Sequence, residues 1–301
     1  MSEKDIEDIK YACTKKGEFI ALSFVNRKED VEEARELLNK NNSNMMIISK
    51  VESKYAIDNI DEIIDVSDGI MVARGDLGIE NPIEKIPIIQ KMLIQKCREK
   101  GKICIVATEM LASMENAPRP TRAECTDVAN AVLDGCDAVM LSAETTIGKH
   151  PVEAVSYMSR ICREAEDNYD YDYYFDYEHD KAITAAVAKA VIASINEIDA
   201  KAVVVPTMGG HSARVISNLK PRPIIIAPTP TDEVARKLSL VFGVVPVVVP
   251  VVDDVDDLSD IARKVSQKVL DLEKGDVIII TGGIHKKGQP NETNFIKIEE
   301  I

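Results

Sequence analysis

Five times in the first half of the chain an apolar run of strand length stops at polar or glycine-rich residues and gives way to a helical pattern. The clearest case is Ile70-Met-Val-Ala73, which runs into what reads as a Gly-rich turn, Arg74-Gly75-Asp76-Leu77-Gly78. A run that is apolar at every position, instead of every second one, has no face for water. It belongs in a sheet covered on both sides. Such a sheet is built from parallel strands joined by crossover helices, so the pattern constrains this half to repeated β/α units. The strands are expected at residues 18–24, 45–50, 70–73, 103–107 and 137–141. The helices are expected up to about Lys15 behind a Ser2/Asp5 capping-box variant, from a cap at Asp30, over 58–66 and 87–101, behind a Thr121…Glu124 capping box, and over 151–167.

Each expected strand is followed by residues suited to chemistry: Ser23; Lys50 and Glu52; Arg74 and Asp76; Thr108 and Glu109; Ser142 and Glu144. A (β/α)8 barrel and a doubly wound open sheet both place ligands at the carboxyl ends of their strands. Polar residues at five separate strand ends favour the barrel, here a partial TIM-type barrel of about five units over residues 1–165, too few to close. Residues 166–180 break the composition: they are acidic and Tyr-rich, and six of the eight tyrosines fall within 157–177. This segment reads as an interdomain linker, with a partner-binding patch as the other reading. Residues 181–301 form a second α/β domain, with strands expected at 202–205, 223–227, 244–249, 277–281 and 294–298 and helices over 183–198, 232–241 and 257–272.

At 301 residues the chain is long enough for two domains with sizeable cores. A net charge of −14 argues against nucleic acid or an anionic membrane as the main partner. No apolar run approaches the ~20 residues of a membrane helix, and the polar start Met1-Ser-Glu-Lys-Asp5 lacks a signal-peptide core. The six cysteines show no CxxC or Cys/His spacing, so reduced thiols in a cytoplasmic protein are expected.

Four constellations carry candidate chemistry. Lys50 and Glu52 share a side of their strand, and Asp76 follows the end of the next one. Two carboxylates suit Mg²⁺ or Mn²⁺, and Lys50 suits a phosphoryl group or a developing oxyanion; a structural salt-bridge set is the alternative. Thr108 can orient substrate or relay a proton, or simply finish a strand as a β-branched residue. Ser142 can face a ligand or cap a helix. Thr207-Met-Gly-Gly-His-Ser-Ala-Arg214 lies between a strand and a helix. There Gly209 and Gly210 let amides close on a phosphate, with Thr207, Ser212 and Arg214 adding hydroxyls and a cation; a tight turn is the alternative. The loop lacks the Gly-Lys-Ser/Thr end of a Walker motif. Gly282-Gly-Ile-His-Lys-Lys-Gly288 is expected to add positive charge to the same pocket. Histidines 150, 179, 211 and 285 show no metal spacing.

Taken in order and spacing, Lys50-Val-Glu52, Met71-Val-Ala-Arg-Gly-Asp-Leu-Gly-Ile-Glu80, Ala107-Thr-Glu-Met-Leu111, Arg119-Pro-Thr-Arg-Ala-Glu124, Asp127-Val-Ala-Asn-Ala-Val132 and Met140-Leu-Ser-Ala-Glu-Thr145 resemble the pyruvate kinase family. The resemblance runs to the last residues, with Thr207–Arg214 similar to an effector-phosphate loop and Thr293-Asn-Phe-Ile-Lys-Ile298 to a final strand. It implies phosphoryl transfer from phosphoenolpyruvate to ADP, giving pyruvate and ATP. It also implies Glu52 and Asp76 as ligands of Mg²⁺ or Mn²⁺, Lys50 as the group stabilising the transferred phosphoryl and the enolate, and Gly75 and Asp76 amides on the substrate carboxylate. Thr108 is placed where the enolate is protonated, Ser142 toward the nucleotide, and Thr207, Gly209, Gly210, Ser212 and Arg214 on a phosphorylated effector. A cytoplasmic tetramer is implied, or else a second chain, because three barrel strands, the lid domain, the first-strand arginine and the K⁺ ligands have no counterpart in this sequence. A non-catalytic regulatory or assembly subunit is the rival expectation. Three positions depart from the family pattern: Glu109 for Gln, Ala143 for Gly, and Asn26 for Arg, with Arg27 one place later.

Overall fold

The computed structural model describes residues 1–15, 17–171, 182–251, 255–283 and 293–301. It divides into two compact units, Met1–Asp170 and Tyr171–Ile301. Most of the Tyr-rich segment and the Lys-rich run after Gly283 lie outside the described residues.

The first unit is a five-stranded parallel sheet: β1 (Phe19–Leu22), β2 (Met46–Val51), β3 (Gly69–Ala73), β4 (Ile103–Ala107) and β5 (Ala138–Met140). Spatial order equals sequence order, β1-β2-β3-β4-β5. Right-handed crossovers that never reverse direction put every helix on one side, which is the winding of a barrel wall. A doubly wound sheet would reverse its order once. The strand order thus bears out the partial barrel that the strand-end chemistry favours.

All five residues of β3 and of β4 are buried, as runs without a solvent face require. Ile47, Ile70, Val72, Leu93, Val106 and Val128 meet in one core with no exposed surface. Each such side chain contributes roughly 1.5–3 kcal/mol by leaving water. Gly69 opens β3 where its neighbours close in. A Cβ there would lie 2.7 Å from Ile48 Cδ1 and 2.9 Å from both Cβ and O of Ile103.

Helix boundaries follow local chemistry. Ser2 accepts from the Asp5 amide and Thr121 from the Glu124 amide, completing two capping boxes before Glu3–Cys13 and Arg122–Leu133. Three expectations need correction. The helix expected to be capped by Asp30 spans Lys28–Lys40, and Asp30 reaches back from its third position to accept from the Arg27 amide at 3.2 Å. The helix expected over 58–66 spans Ile60–Val66, and a separate short helix not expected from the sequence, Lys54–Asp58, precedes it. The glycine-rich stretch after β3 is not an open turn; it is helical over Arg74–Glu80, because Ala73 leaves the strand directly into the first turn.

The second unit holds β6 (Ala202–Val204), β7 (Ile224–Thr229), β8 (Val244–Val248), β9 (Val277–Gly282) and β10 (Phe295–Glu300), in the order β10-β9-β6-β7-β8. All pairs are parallel except β10 with β9. Here the order does reverse, between β6 and β9, and such a switch point opens a crevice at the carboxyl ends of the two strands.

Candidate active site

Parallel register brings the sequence-predicted residues to one end of the first sheet. Lys50 pairs with Met71 and Val51 with Val72, so Glu52 comes level with the end of β3. Ala73 pairs with Ala107 and Ala107 with Met140, which sets Arg74, Thr108 and Leu141 side by side.

Lys50 and Glu52 form an ion pair at 2.6 Å, with the Glu52 side chain 3% exposed and that of Lys50 25%. The second carboxylate oxygen of Glu52 accepts the Phe24 amide at 2.7 Å, and Lys50 Nζ donates to Ser23 Oγ at 2.9 Å. A carboxylate this deep in the protein is stable only when paired and hydrogen-bonded, and both conditions are met. Each of its oxygens keeps a further lone pair for a ligand. Phe24 provides its amide from a left-handed backbone, φ 56°, while its ring stays exposed. No sequence signal flags that role, since a bulky residue rarely adopts that region.

Asp76 sits half-buried in the first turn of Arg74–Glu80 with no hydrogen-bond partner among the described residues. It is therefore available to a cation. Among the described residues no group of three or more His, Cys, Asp or Glu can hold a metal ion. Glu52 and Asp76 are two hard oxygen donors, a set that suits Mg²⁺ or Mn²⁺ completed by water and substrate oxygens.

Thr108 and Glu109 both have left-handed backbones, φ 70° and 53°. For a β-branched residue this is a strained conformation, of the order of 1–3 kcal/mol. A buried arginine holds it. Arg74 donates to Thr108 O at 2.8 and 3.3 Å and to Glu109 O at 3.2 Å. Arg74 is in turn paired with Asp127 at 2.6 Å and bonded to Gln90 Oε1 at 3.3 Å. The Thr108 hydroxyl accepts the Gly75 amide at 2.8 Å and donates to Ala107 O at 2.6 Å. The Gly75 amide, expected on a substrate carboxylate, is thus engaged by Thr108, and a substrate reaching it must displace that hydroxyl. Glu109 is exposed, so its added charge is solvated.

Ser142 follows β5 but does not cap a helix with its side chain. Glu144, buried at 2% exposure, takes over by accepting the amides of Ser142 at 2.7 Å and Leu111 at 3.0 Å.

In the second unit a cavity of about 180 Å³ opens at the carboxyl ends of β6 and its neighbours, lined in part by Thr207, Gly209, His211, Ser212, Thr229 and Gly283. Thr207 Oγ1 accepts the Gly210 amide at 3.0 Å and Ser212 Oγ is bonded to Thr293 Oγ1 at 2.9 Å. Gly210 needs its identity: φ is 85°, and a Cβ would come within 3.1 Å of both Arg214 and Leu238. The expected loop ends earlier than the motif, because residues from His211 onward are already helical, His211–Asn218. Arg214 packs against Gly210 and is not among the residues lining the cavity.

Two family models match the chain: "Pyruvate kinase, barrel domain" over residues 1–155, and "Pyruvate kinase, alpha/beta domain" over residues 185–299. A pyruvate kinase of Sporosarcina psychrophila is 46% identical across all of this chain, which covers 52% of that protein. One from Clostridium perfringens is 43% identical, again over the whole chain and 65% of its own length. A solved structure of a pyruvate kinase from Cryptosporidium parvum superposes with a TM-score of 0.93 at 39% identity, over all of this chain and 62% of that one. The chain spans about half to two thirds of the length of these relatives.

Proposed function

Because this chain belongs to the pyruvate kinase family, we propose that its first unit takes part in phosphoryl transfer from phosphoenolpyruvate to ADP, giving pyruvate and ATP. The observation that carries the reading is the buried Lys50–Glu52 pair at 2.6 Å, at the same sheet end as Asp76 and Thr108. Phosphoryl transfer needs positioning and charge neutralisation more than covalent chemistry. Lys50 places a cation, preset by Glu52 and Ser23, where negative charge builds up on the phosphoryl oxygens and the enolate. Thr108 holds a hydroxyl beside the Gly75 amide, suited to passing a proton to the enolate carbon through water. Ser142 lies two residues past β5 on the nucleotide side. Glu52 and Asp76 would hold a divalent cation, which when bound supplies charge neutralisation to substrate oxygens.

A coupled assay for pyruvate formation with Mg²⁺ and K⁺ tests this, on the chain alone and with a polypeptide supplying the remaining barrel strands of the family. Activity in either arm that Lys50→Met abolishes supports the reading. No turnover in both arms overturns it and leaves the regulatory reading, which the cavity of the second unit favours on its own. There Thr207, Gly209, Gly210 and Ser212 would bind the phosphate of an effector, with Arg214 behind the loop. Calorimetry with inorganic phosphate should lose its signal in Ser212→Ala; unchanged affinity in both Ser212→Ala and Arg214→Ala removes the effector site. Self-association, a tetramer in the family, is checked by sedimentation.

A further inference from the structure

We propose that Asn26 is the positioning residue that aims the Glu52 carboxylate, acting through the backbone of Phe24. The inference rests on the reading of Glu52 as a cation ligand, and it concerns how this chain holds that group in place.

Glu52 is 4% exposed, and its direction is set by two donors, Lys50 Nζ on one oxygen and the Phe24 amide on the other. The lysine is long and flexible, so the fixed reference is the amide. That amide points at Glu52 only because Phe24 is left-handed at φ 56°. A phenylalanine gains nothing local from that conformation, and the residue is 72% exposed, so packing of its side chain does not hold it there. The contact that holds the turn is the Asn26 side chain, whose Nδ2 donates to Phe24 O at 3.2 Å.

Asn26 is itself fixed at every polar group. Its Oδ1 accepts the hydroxyl of Ser53, the residue next to Glu52. Its amide donates to Asp30 Oδ2 at 2.9 Å, and its carbonyl accepts from Asn59 Nδ2 at 2.9 Å. Ser53 is buried and also caps Lys54–Asp58 through the Ala56 amide. One amide side chain therefore ties both flanks of the carboxylate together, the turn after β1 by its nitrogen and the turn after β2 by its oxygen. No shorter polar residue spans both, and a carboxylate in its place would set an acceptor against Phe24 O. Support of this kind behind a metal ligand changes metal affinity by about 10–100-fold when removed.

The test compares Asn26→Ala, Asn26→Asp and Asn59→Ala in the 301-residue chain. The first readout is the Phe24 amide itself, by its proton chemical shift and hydrogen exchange, with no metal present. Asn26→Ala and Asn26→Asp should speed its exchange at least about tenfold and move its shift upfield as the bond to the carboxylate lengthens. Asn59→Ala, which leaves the Asn26 side chain in place, should not. The second readout is Mn²⁺ affinity by electron paramagnetic resonance, expected to fall about tenfold in the two Asn26 variants. A Phe24 amide that keeps its shift and protection in Asn26→Ala overturns the proposal, whatever happens to the melting temperature. A wild-type chain that binds no Mn²⁺ while its Phe24 amide responds as expected overturns the metal reading of Glu52 instead.

Discussion

Replacing Arg74 by Met should cost the first unit about 2–4 kcal/mol, and the structure gives the reasons separately. Arg74 is 9% exposed and holds the carbonyls of two consecutive left-handed residues, Thr108 and Glu109. Methionine fills most of the volume but donates nothing. Each carbonyl left unpaired costs about 1–3 kcal/mol if it stays dry. One further term adds a little to the total and another reduces it. Asp127 is 38% exposed, so losing its partner costs it no more than about 1 kcal/mol. Relaxation of Thr108 and Glu109 out of the left-handed region recovers part of the 1–3 kcal/mol of strain typical of each such residue, as an order of magnitude. For a unit of this size the loss corresponds to a melting temperature lower by roughly 5–15 °C. Differential scanning calorimetry measures it. Asp127→Asn separates the ion pair from the carbonyl clamp, since it keeps Arg74 on both carbonyls; it should cost about 1 kcal/mol and lose part of that effect in high salt. Hydrogen exchange at the Gly75 amide gives the local signature, because its acceptor, Thr108 Oγ1, moves once the clamp is gone. A loss below about 1 kcal/mol in Arg74→Met, or one no larger than in Asp127→Asn, refutes the clamp.

Three further outcomes follow from single contacts. Gly69→Ala drives a Cβ to 2.7 Å from Ile48 and 2.9 Å from Ile103, between buried strands that cannot yield cheaply, so urea unfolding should show a loss of about 1–3 kcal/mol. For Glu124, burial would raise the carboxyl, but bonds from Ser113 and Thr121 outweigh it and hold the group below its ordinary 4.5. A depressed folded value means the stability is present above that pH and lost as pH falls through the folded value; Glu124→Gln should cost about 1 kcal/mol at pH 7 and nothing once the wild-type group is protonated, as pH-dependent unfolding will record. Burial, helped by Glu166, pushes the Cys162 thiol up to about 11 from 9.0, so iodoacetamide at pH 8 should modify it about tenfold more slowly than an unperturbed thiol, the lost thiolate fraction being partly offset by a more nucleophilic thiolate, as mass spectrometry will count.

The element order was legible in the sequence wherever a single local cause sets it. The apolar runs at 70–73 and 103–107 became β3 and β4 because only a sheet covered on both sides can hide them. Ser2 and Thr121 mark boundaries through bonds internal to a few residues. Lys50, Glu52 and Thr108 stood out as polar groups at the ends of buried strands, and parallel register does place them together. The stretch Arg74–Gly78 reads as a turn in the sequence because glycines are common in turns, whereas the structure winds it into the helix Arg74–Glu80 directly from Ala73.

What the sequence by itself determined is therefore the set of strands, the parallel pairing of those in the first unit and the identity of the charged residues at their ends, since hydrophobic period and strand-end position are properties of neighbours along the chain. What only the tertiary structure decided is the reversal of strand order between β6 and β9 in the second unit, the antiparallel placing of β10, and the holding of the site. Arg74 and Asp127 lie 53 positions apart and Phe24 and Glu52 28 apart. Contacts at such separations leave no local pattern; they exist because folding brings strand ends level, and the strained backbones of Thr108 and Glu109 persist only where the distant Arg74 holds them.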